Sequence, residues 1–301
     1  MNTMHPETCR PAWLRLAIAL LLSLAAFGAP HAQDAPALKA RYAALQEQLS
    51  NNQFGRPLHL ESAQTADDLK GDVYSVIEHP FPMVEQALQS VDHWCDILIL
   101  HLNVKGCLAS GNAGTNMLSL AVGKKFDQPV SDAYKLEFAF RVAAASADYL
   151  EVRLNADEGP LGTNNYRIQL EAVPIDARRS LVHMSYSYGY GFAARTAMQV
   201  YLATIGRAKV GFSFTERRPD GQPAYIGGVL GLVERNTMRY YLAIDSYLTA
   251  YSLPPAEQTE KRLDGWYEAT ERYATQLHEM TQADYIEMKH NEIRRQHAEA
   301  K

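Results

Sequence analysis

The sequence predicts an α+β fold in which an antiparallel β-meander grips a long C-terminal helix, with additional N- and C-terminal helices. Four consecutive segments alternate apolar and polar residues with a period of two, and the stretch from Glu234 to Tyr251 repeats apolar residues at helical spacing. Turn-rich stretches such as NADEGPLGTNN and PIDARRS join the alternating segments. Alternation over four to eight residues marks strands with one dry and one wet face, and short turn-rich links between such strands mark an antiparallel meander.

The chain opens on a basic stretch with Arg10 and Arg15, followed by the apolar run Leu16 to Phe27 and the small-residue exit GAPHAQDAP. This is the pattern of a secretory signal peptide over residues 1–32, and the run is shorter than the roughly 20 residues a membrane span needs. Cleavage after Ala32, or after Gly28, removes Arg10, Arg15 and Glu7 and leaves a chain one unit more acidic than the whole-chain charge of −5. An acidic chain without basic blocks is a poor nucleic-acid binder. The expectation is a periplasmic or secreted protein that is not an integral membrane protein. With 47% hydrophobic and 10% aromatic residues, about 270 mature residues can bury one large core.

Residues 33–69 form the next expected unit, an N-terminal helix and linker. In PALKARYAALQEQLS, Leu38, Tyr42, Leu45 and Leu49 share one stripe. Residues 70–253 follow as the α+β domain, opening on the strand GDVYSVIE and the helix FPMVEQALQSV.

The segment VDHWCDILILHLNVKGC holds Cys95 and Cys107. In an oxidising compartment two cysteines pair, closing a loop worth roughly 3 kcal/mol in the chain-entropy model. A straight strand through Leu98 to Lys105, rising about 3.3 Å per residue, would carry Cys107 beyond the ~4.4–6.8 Å Cα separation that a disulfide allows. The chain must fold back: a helix through Trp94, Ile97 and Leu98, a turn, then a strand near Val104. Free buried thiols and a zinc site with His93 and His101 are the alternatives, though the spacing matches none of the usual structural zinc patterns.

The four alternating segments come next. Their dry sets are Leu136, Phe138, Phe140 and Val142; Leu150, Val152 and Leu154; Tyr166, Ile168, Leu170 and Ala172; and Val182, Met184, Tyr186 and Tyr188. Their wet sets include Glu137 with Arg141, Glu151 with Arg153, Arg167 with Glu171, and His183 with Ser185. Opposite charges there can pair across strands. GYGFAA, Gly189 to Ala194, fits the glycine pattern of a dinucleotide-binding turn. It follows a meander rather than a strand–helix–strand unit, with no acidic residue some 20 positions on, and reads as a strand-to-helix turn. No cofactor and no metal are expected.

Downstream, AARTAMQVYLATIG is expected to be helical. ERNTMRYYLAIDSYLTAY aligns Tyr240, Tyr241, Ile244, Tyr247, Leu248 and Tyr251 on one face, and Pro254 and Pro255 end it. Residues 254–301 form the last unit: an amphipathic helix in RLDGWYEATERYATQLHEM and a charged, solvated tail from Lys289 to Lys301.

The element order, a strand, two short helices, a run of antiparallel strands and a covering helix, resembles the helix-grip fold of the START and polyketide-cyclase superfamily. The resemblance covers about residues 70 to 251 and rests on GDVYSVIEHPFPMVEQAL…WCDIL as the opening strand-helix-helix unit. It implies a cavity between sheet and long helix that holds an apolar small molecule or lipid. The helix at Ala193 to Gly206, the segment VGFSFTERRPDGQPAYIGGVLG and the C-terminal helix are departures from it.

On this reading the ligand-binding residues are Phe138, Phe140, Leu150, Val152, Ile168, Leu170, Met184 and Tyr186 from the sheet, with Met238, Arg239 and Tyr241 from the helix. A solid core on the same dry face is the competing reading, because alternation shows a buried face and not a hollow one. Glu234, Arg235 and Arg239 read first as an acid near a helix N-terminus with solvent-facing arginines. The functional alternative places Arg239 at the cavity mouth, where its fork can grip a carboxylate or phosphate. His101 and His183 are candidate acids or bases, but no nucleophile and base stand at a recognised spacing. The function expected is an exported carrier of a hydrophobic ligand. The alternatives are a cyclase- or hydrolase-like enzyme using the same cavity, or an interaction protein whose C-terminal helix binds a protein partner.

Overall fold

Four of the strands in the sheet are those that the alternation predicts: β5 (Tyr134–Ser146), β6 (Tyr149–Glu158), β7 (Thr163–Pro174) and β8 (Ser180–Tyr190). Four more complete it: β1 (Leu58–Gln64), β2 (Asp68–Ile77), β3 (Val104–Asn112) and β4 (Thr115–Val122). The computed structural model describes residues 34–112, 115–204, 206–217 and 219–299, so the expected signal segment lies outside the described residues. All eight strands pair antiparallel in the order β1-β2-β8-β7-β6-β5-β4-β3. From β2 the chain passes through α3 (Phe81–Leu88) and α4 (Val91–Leu98) to the far edge, then meanders back until β8 lies beside β2. The fold is therefore α+β as expected. β1 lies in the stretch read as linker, too short and too polar at LHLESAQ to announce itself away from its pairing with β2.

The long helix, α6 (Gly228–Ala250), lies across the inner face of the sheet. It is buried on most of its sides because α7 (Pro255–Glu271) covers its back. There Trp266 donates its indole N–H to the Arg239 carbonyl at 3.1 Å and stacks on Tyr285. Gly71 of β2 lets the helix approach closely, since a Cβ there would collide with the Thr237 side chain.

Cys95 and Cys107 form a disulfide with a Cα separation of 5.2 Å. The reversal that permits it is the expected one, with α4 ending at Leu98, a turn through His101, and β3 starting at Val104. The bond takes both thiols out of the zinc and free-thiol alternatives.

Two expectations are corrected. The tail from Lys289 is not simply solvated: after the short α8 (Ala274–Leu277), α9 (Gln282–Glu299) docks on β3 with Lys289 and Glu292 fully buried. Glu292 pairs with Lys105 at 2.8 Å and Lys289 at 2.7 Å, and Lys289 also donates to the carbonyls of His101 and Val104. Paired and hydrogen-bonded charges can be buried where lone ones cannot, and a charge-rich sequence gives no sign of which case holds. The wet face of the sheet is likewise covered at one side. There α1 (Ala35–Ala44) and α2 (Gln46–Ser50) lay Leu38, Leu45 and Leu49 over Tyr74, Val76, Val173 and Leu181. Beside this patch His183 is held between Glu171 (2.8 Å) and Asp72 (2.8 Å) and stacked on Tyr74 at 4.2 Å.

Among the described residues, no helix is long and apolar enough to cross a membrane. The amphipathic faces of α7 and α9 are spent inside the chain, with Leu263, Trp266, Tyr285 and Met288 buried.

Candidate functional site: a cavity between the sheet and the long helix

The inner face of the sheet is filled at one end and hollow at the other. Where Phe140, Leu154, Ile168, Leu170 and Met184 lie, α3, α4 and the second half of α6 close on it, with Trp94 packing 6.3 Å from Phe140. At the opposite end, near the start of β5 and the end of β8, a cavity of about 380 Å³ remains. A volume of this size suits a small ligand. The roof is α5 (Phe192–Ala203), the helix expected at Ala193 to Gly206, which presents Ala194, Ala197, Met198 and Tyr201 to the space. Phe192 and Val200 on its other side are exposed. The rim includes Leu161, held at φ 57°, a left-handed conformation that a branched residue seldom adopts without surrounding constraint.

The apolar wall comes from Val122, Leu136 and Phe138, and from a ladder of tyrosines. Tyr166 stacks on Tyr188 with ring centroids 5.2 Å apart, Tyr186 stands 5.1 Å from Tyr240, and Tyr240 stacks on His101 at 4.6 Å. Burial pushes the Tyr166, Tyr186, Tyr188 and Tyr240 phenols upward, so each keeps its proton at neutral pH.

One side of the cavity is cationic. Arg235 and Arg239, one turn apart on α6, both line it and are almost fully buried. Arg239 pairs with Glu279 at 2.8 Å, and Lys125 and Lys209 reach the same carboxylate at 2.5 and 3.1 Å. Burial and the neighbouring Arg239 lower the Lys125 ammonium to about 8. Burial opposes ionisation of Glu279, but Lys125 and Arg239 outweigh it and hold the carboxyl below its ordinary range. Arg235 donates to the Val210 carbonyl at 3.0 Å. Glu234, one residue earlier, turns away to accept from the backbone N–H groups of Phe212 and Ser213.

His101 is buried, and burial followed by the repulsion of Arg239 and Lys289 keeps it neutral. Its Nδ1 accepts the Asn103 backbone N–H at 3.1 Å, so the ring proton sits on Nε2. That Nε2 has no partner, and neither does Nη2 of Arg235 or Nε of Arg239.

Of the expected ligand-binding residues, Phe138, Tyr186 and Arg239 line the cavity. Phe140, Leu150, Val152, Ile168, Leu170, Met184, Met238 and Tyr241 lie in the packed core instead, and the Tyr241 hydroxyl donates to Ser75 at 2.8 Å. The expectation of solvent-facing arginines is corrected, since Arg235 and Arg239 are each 1% exposed. Lys125, Tyr166, Tyr188, Tyr201 and Tyr240 also line it, as do the polar Asn103, Thr163 and Asn236. The available signal was SYSYGY, which puts tyrosines where a solid core would carry aliphatic residues. Among the described residues no group of three or more His, Cys, Asp or Glu could hold a metal ion.

No family model matches the chain, and no curated protein matches it. Solved structures do. Norcoclaurine synthase from Thalictrum flavum, in complex with dopamine and hydroxybenzaldehyde, is 12% identical, with 48% of this chain and 76% of that one covered and a TM-score of 0.32. The Zhui aromatase/cyclase from Streptomyces sp. R1128 is 10% identical, with 71% and 96% covered and a TM-score of 0.31. A conserved protein from Geobacillus kaustophilus is 12% identical, with 60% and 95% covered and a TM-score of 0.34. Likeness this slight carries no argument about ligand or activity, which must come from the cavity itself.

Proposed function

We propose that this protein is an exported carrier or sensor that holds a hydrophobic small molecule or lipid in the cavity between the sheet and the long helix. The observation that carries the reading is the hollow end of the sheet, about 380 Å³ walled by Val122, Leu136, Phe138 and Met198 and by tyrosines whose rings are already stacked on one another. Rings fixed by their neighbours lose little freedom when a ligand lies against them, so apolar contact there converts well into affinity. The disulfide and the signal-like first 32 residues support export. Arg239 is the proposed contact for the ligand's head group.

The test is native mass spectrometry, with solvent extraction, of protein purified from the compartment to which it is exported. A bound small molecule or lipid released by extraction is expected. A clean apo mass that stays unchanged after incubation with lipid extract would contradict the reading.

A further inference from the structure

Across the described residues, four buried side-chain nitrogens or oxygens lack a hydrogen-bond partner, and three of them belong to residues lining this one cavity: His101 Nε2, Arg235 Nη2 and Arg239 Nε. All three are N–H donors. The arginine atoms are donors by chemistry, and His101 is one because its Nδ1 already accepts from Asn103. A buried donor left unmade costs roughly 1–3 kcal/mol, more when it is charged, so three in one place ask for acceptors that the chain does not supply.

The charge balance points the same way. Lys125, Lys209 and Arg239 share the carboxylate of Glu279, while Arg235 forms no ion pair of its own: it donates to the Val210 carbonyl, lies beside the Tyr201 phenol, and feels Glu279 and Glu234 only from a distance. Cations crowded in a poorly solvated space repel one another far more than they would in water, and an incoming anion relieves that repulsion.

We propose, resting on the carrier reading above, that the ligand is an organic carboxylate whose acid group takes the free N–H donors of His101, Arg235 and Arg239. Its hydrocarbon lies against Leu136, Phe138 and Tyr166. Lys125 contributes charge from the rim, where its side chain keeps 28% exposure. A carboxylate has two oxygens that accept only, and a guanidinium matches it in shape as well as charge.

Calorimetric titration at pH 7 and low salt tests this with 4-phenylbutanoic acid and dodecanoic acid, each beside its methyl ester and its alcohol. At least one acid should bind ten-fold or more tighter than its ester and alcohol. Arg235→Met and Lys125→Met should each weaken the acid about ten-fold and move the ester less than two-fold, with Lys125→Arg restoring the acid. Should Arg235→Met fail to fold, the rim variant Lys125→Met still decides.

Ester and acid binding equally well would overturn the carboxylate assignment and leave the carrier reading standing. Inorganic phosphate alone binding more tightly than either acid would overturn it in favour of a phosphate ligand. No binding by any of the six compounds, together with a clean native mass, would overturn both readings.

Discussion

Arg239 Nη2 and Glu279 Oε1 meet at 2.8 Å, joining the middle of the long helix to the loop before α9 at the edge of a cavity that otherwise holds only positive charge. The pair sets what each partner's removal should do. Glu279→Gln leaves Lys125, Lys209 and Arg239 facing one another, and breaking a buried pair costs on the order of 3–5 kcal/mol. Apo Glu279→Gln should therefore melt well below wild type, and a bound organic acid should raise its melting temperature more than it raises that of wild type. Equal shifts in the two proteins would separate Glu279 from the ligand site.

Arg239→Met has a different signature, because Glu279 keeps Lys125 and Lys209. Affinity for an acidic amphiphile should fall by about 1.5–3 kcal/mol, the usual worth of a hydrogen bond to a charged group, while affinity for its methyl ester barely changes. A loss equal for acid and ester, in step with a lower melting temperature, would make Arg239 a scaffold residue.

His183 supplies a pH dependence from the opposite face of the sheet. Burial lowers its pKa, but the hydrogen bonds to Asp72 and Glu171 outweigh that and raise it above its ordinary value. Lys70, at 3.0 Å from Asp72, Tyr149, at 2.6 Å from Glu171, and Tyr74 are among its surroundings. A raised folded pKa gives stability that is whole below about pH 6.5 and is lost as pH rises through the folded value. As pH rises from about 6.5 through the folded value, wild type should lose stability relative to His183→Gln with a slope of at most about 1.4 kcal/mol per pH unit, the figure for one proton. Parallel denaturation midpoints for the two proteins over that window would contradict it.

The disulfide makes a simpler prediction. Mature protein denatured under oxidising conditions should titrate no thiol, and two after reduction. The double variant Cys95→Ala with Cys107→Ala should lose roughly 3 kcal/mol, the chain-entropy value for a loop of this length. Two thiols titrating without reductant would contradict the pairing.

Period-two alternation identified the inner face of β5 to β8 correctly, and the cysteine spacing demanded the reversal between α4 and β3 that is found. Alternation does not say how high along a strand a residue sits. Phe138 and Phe140 share one face of β5, yet one meets the cavity and the other meets Trp94. That difference depends on where α3 and α4 stop, a matter of tertiary packing. The burial of Arg235 and Arg239 is hidden from the sequence for a related reason. Burial of a guanidinium depends on partners distant in sequence, Val210 and Glu279, which no local pattern reveals.

Titration of a fluorescent fatty acid or sterol analogue into wild type, Ala197→Trp and Val152→Trp tests the carrier reading most directly. Ala197 faces the cavity from α5, where a larger ring has space to enter, whereas Val152 sits in solid core, where overpacking costs typically 1–3 kcal/mol. One analogue should bind saturably per wild-type chain. Ala197→Trp should bind none at an unchanged melting temperature, and Val152→Trp should melt at a lower temperature. Undiminished binding by a folded Ala197→Trp would place the ligand elsewhere and contradict a carrier that uses this cavity.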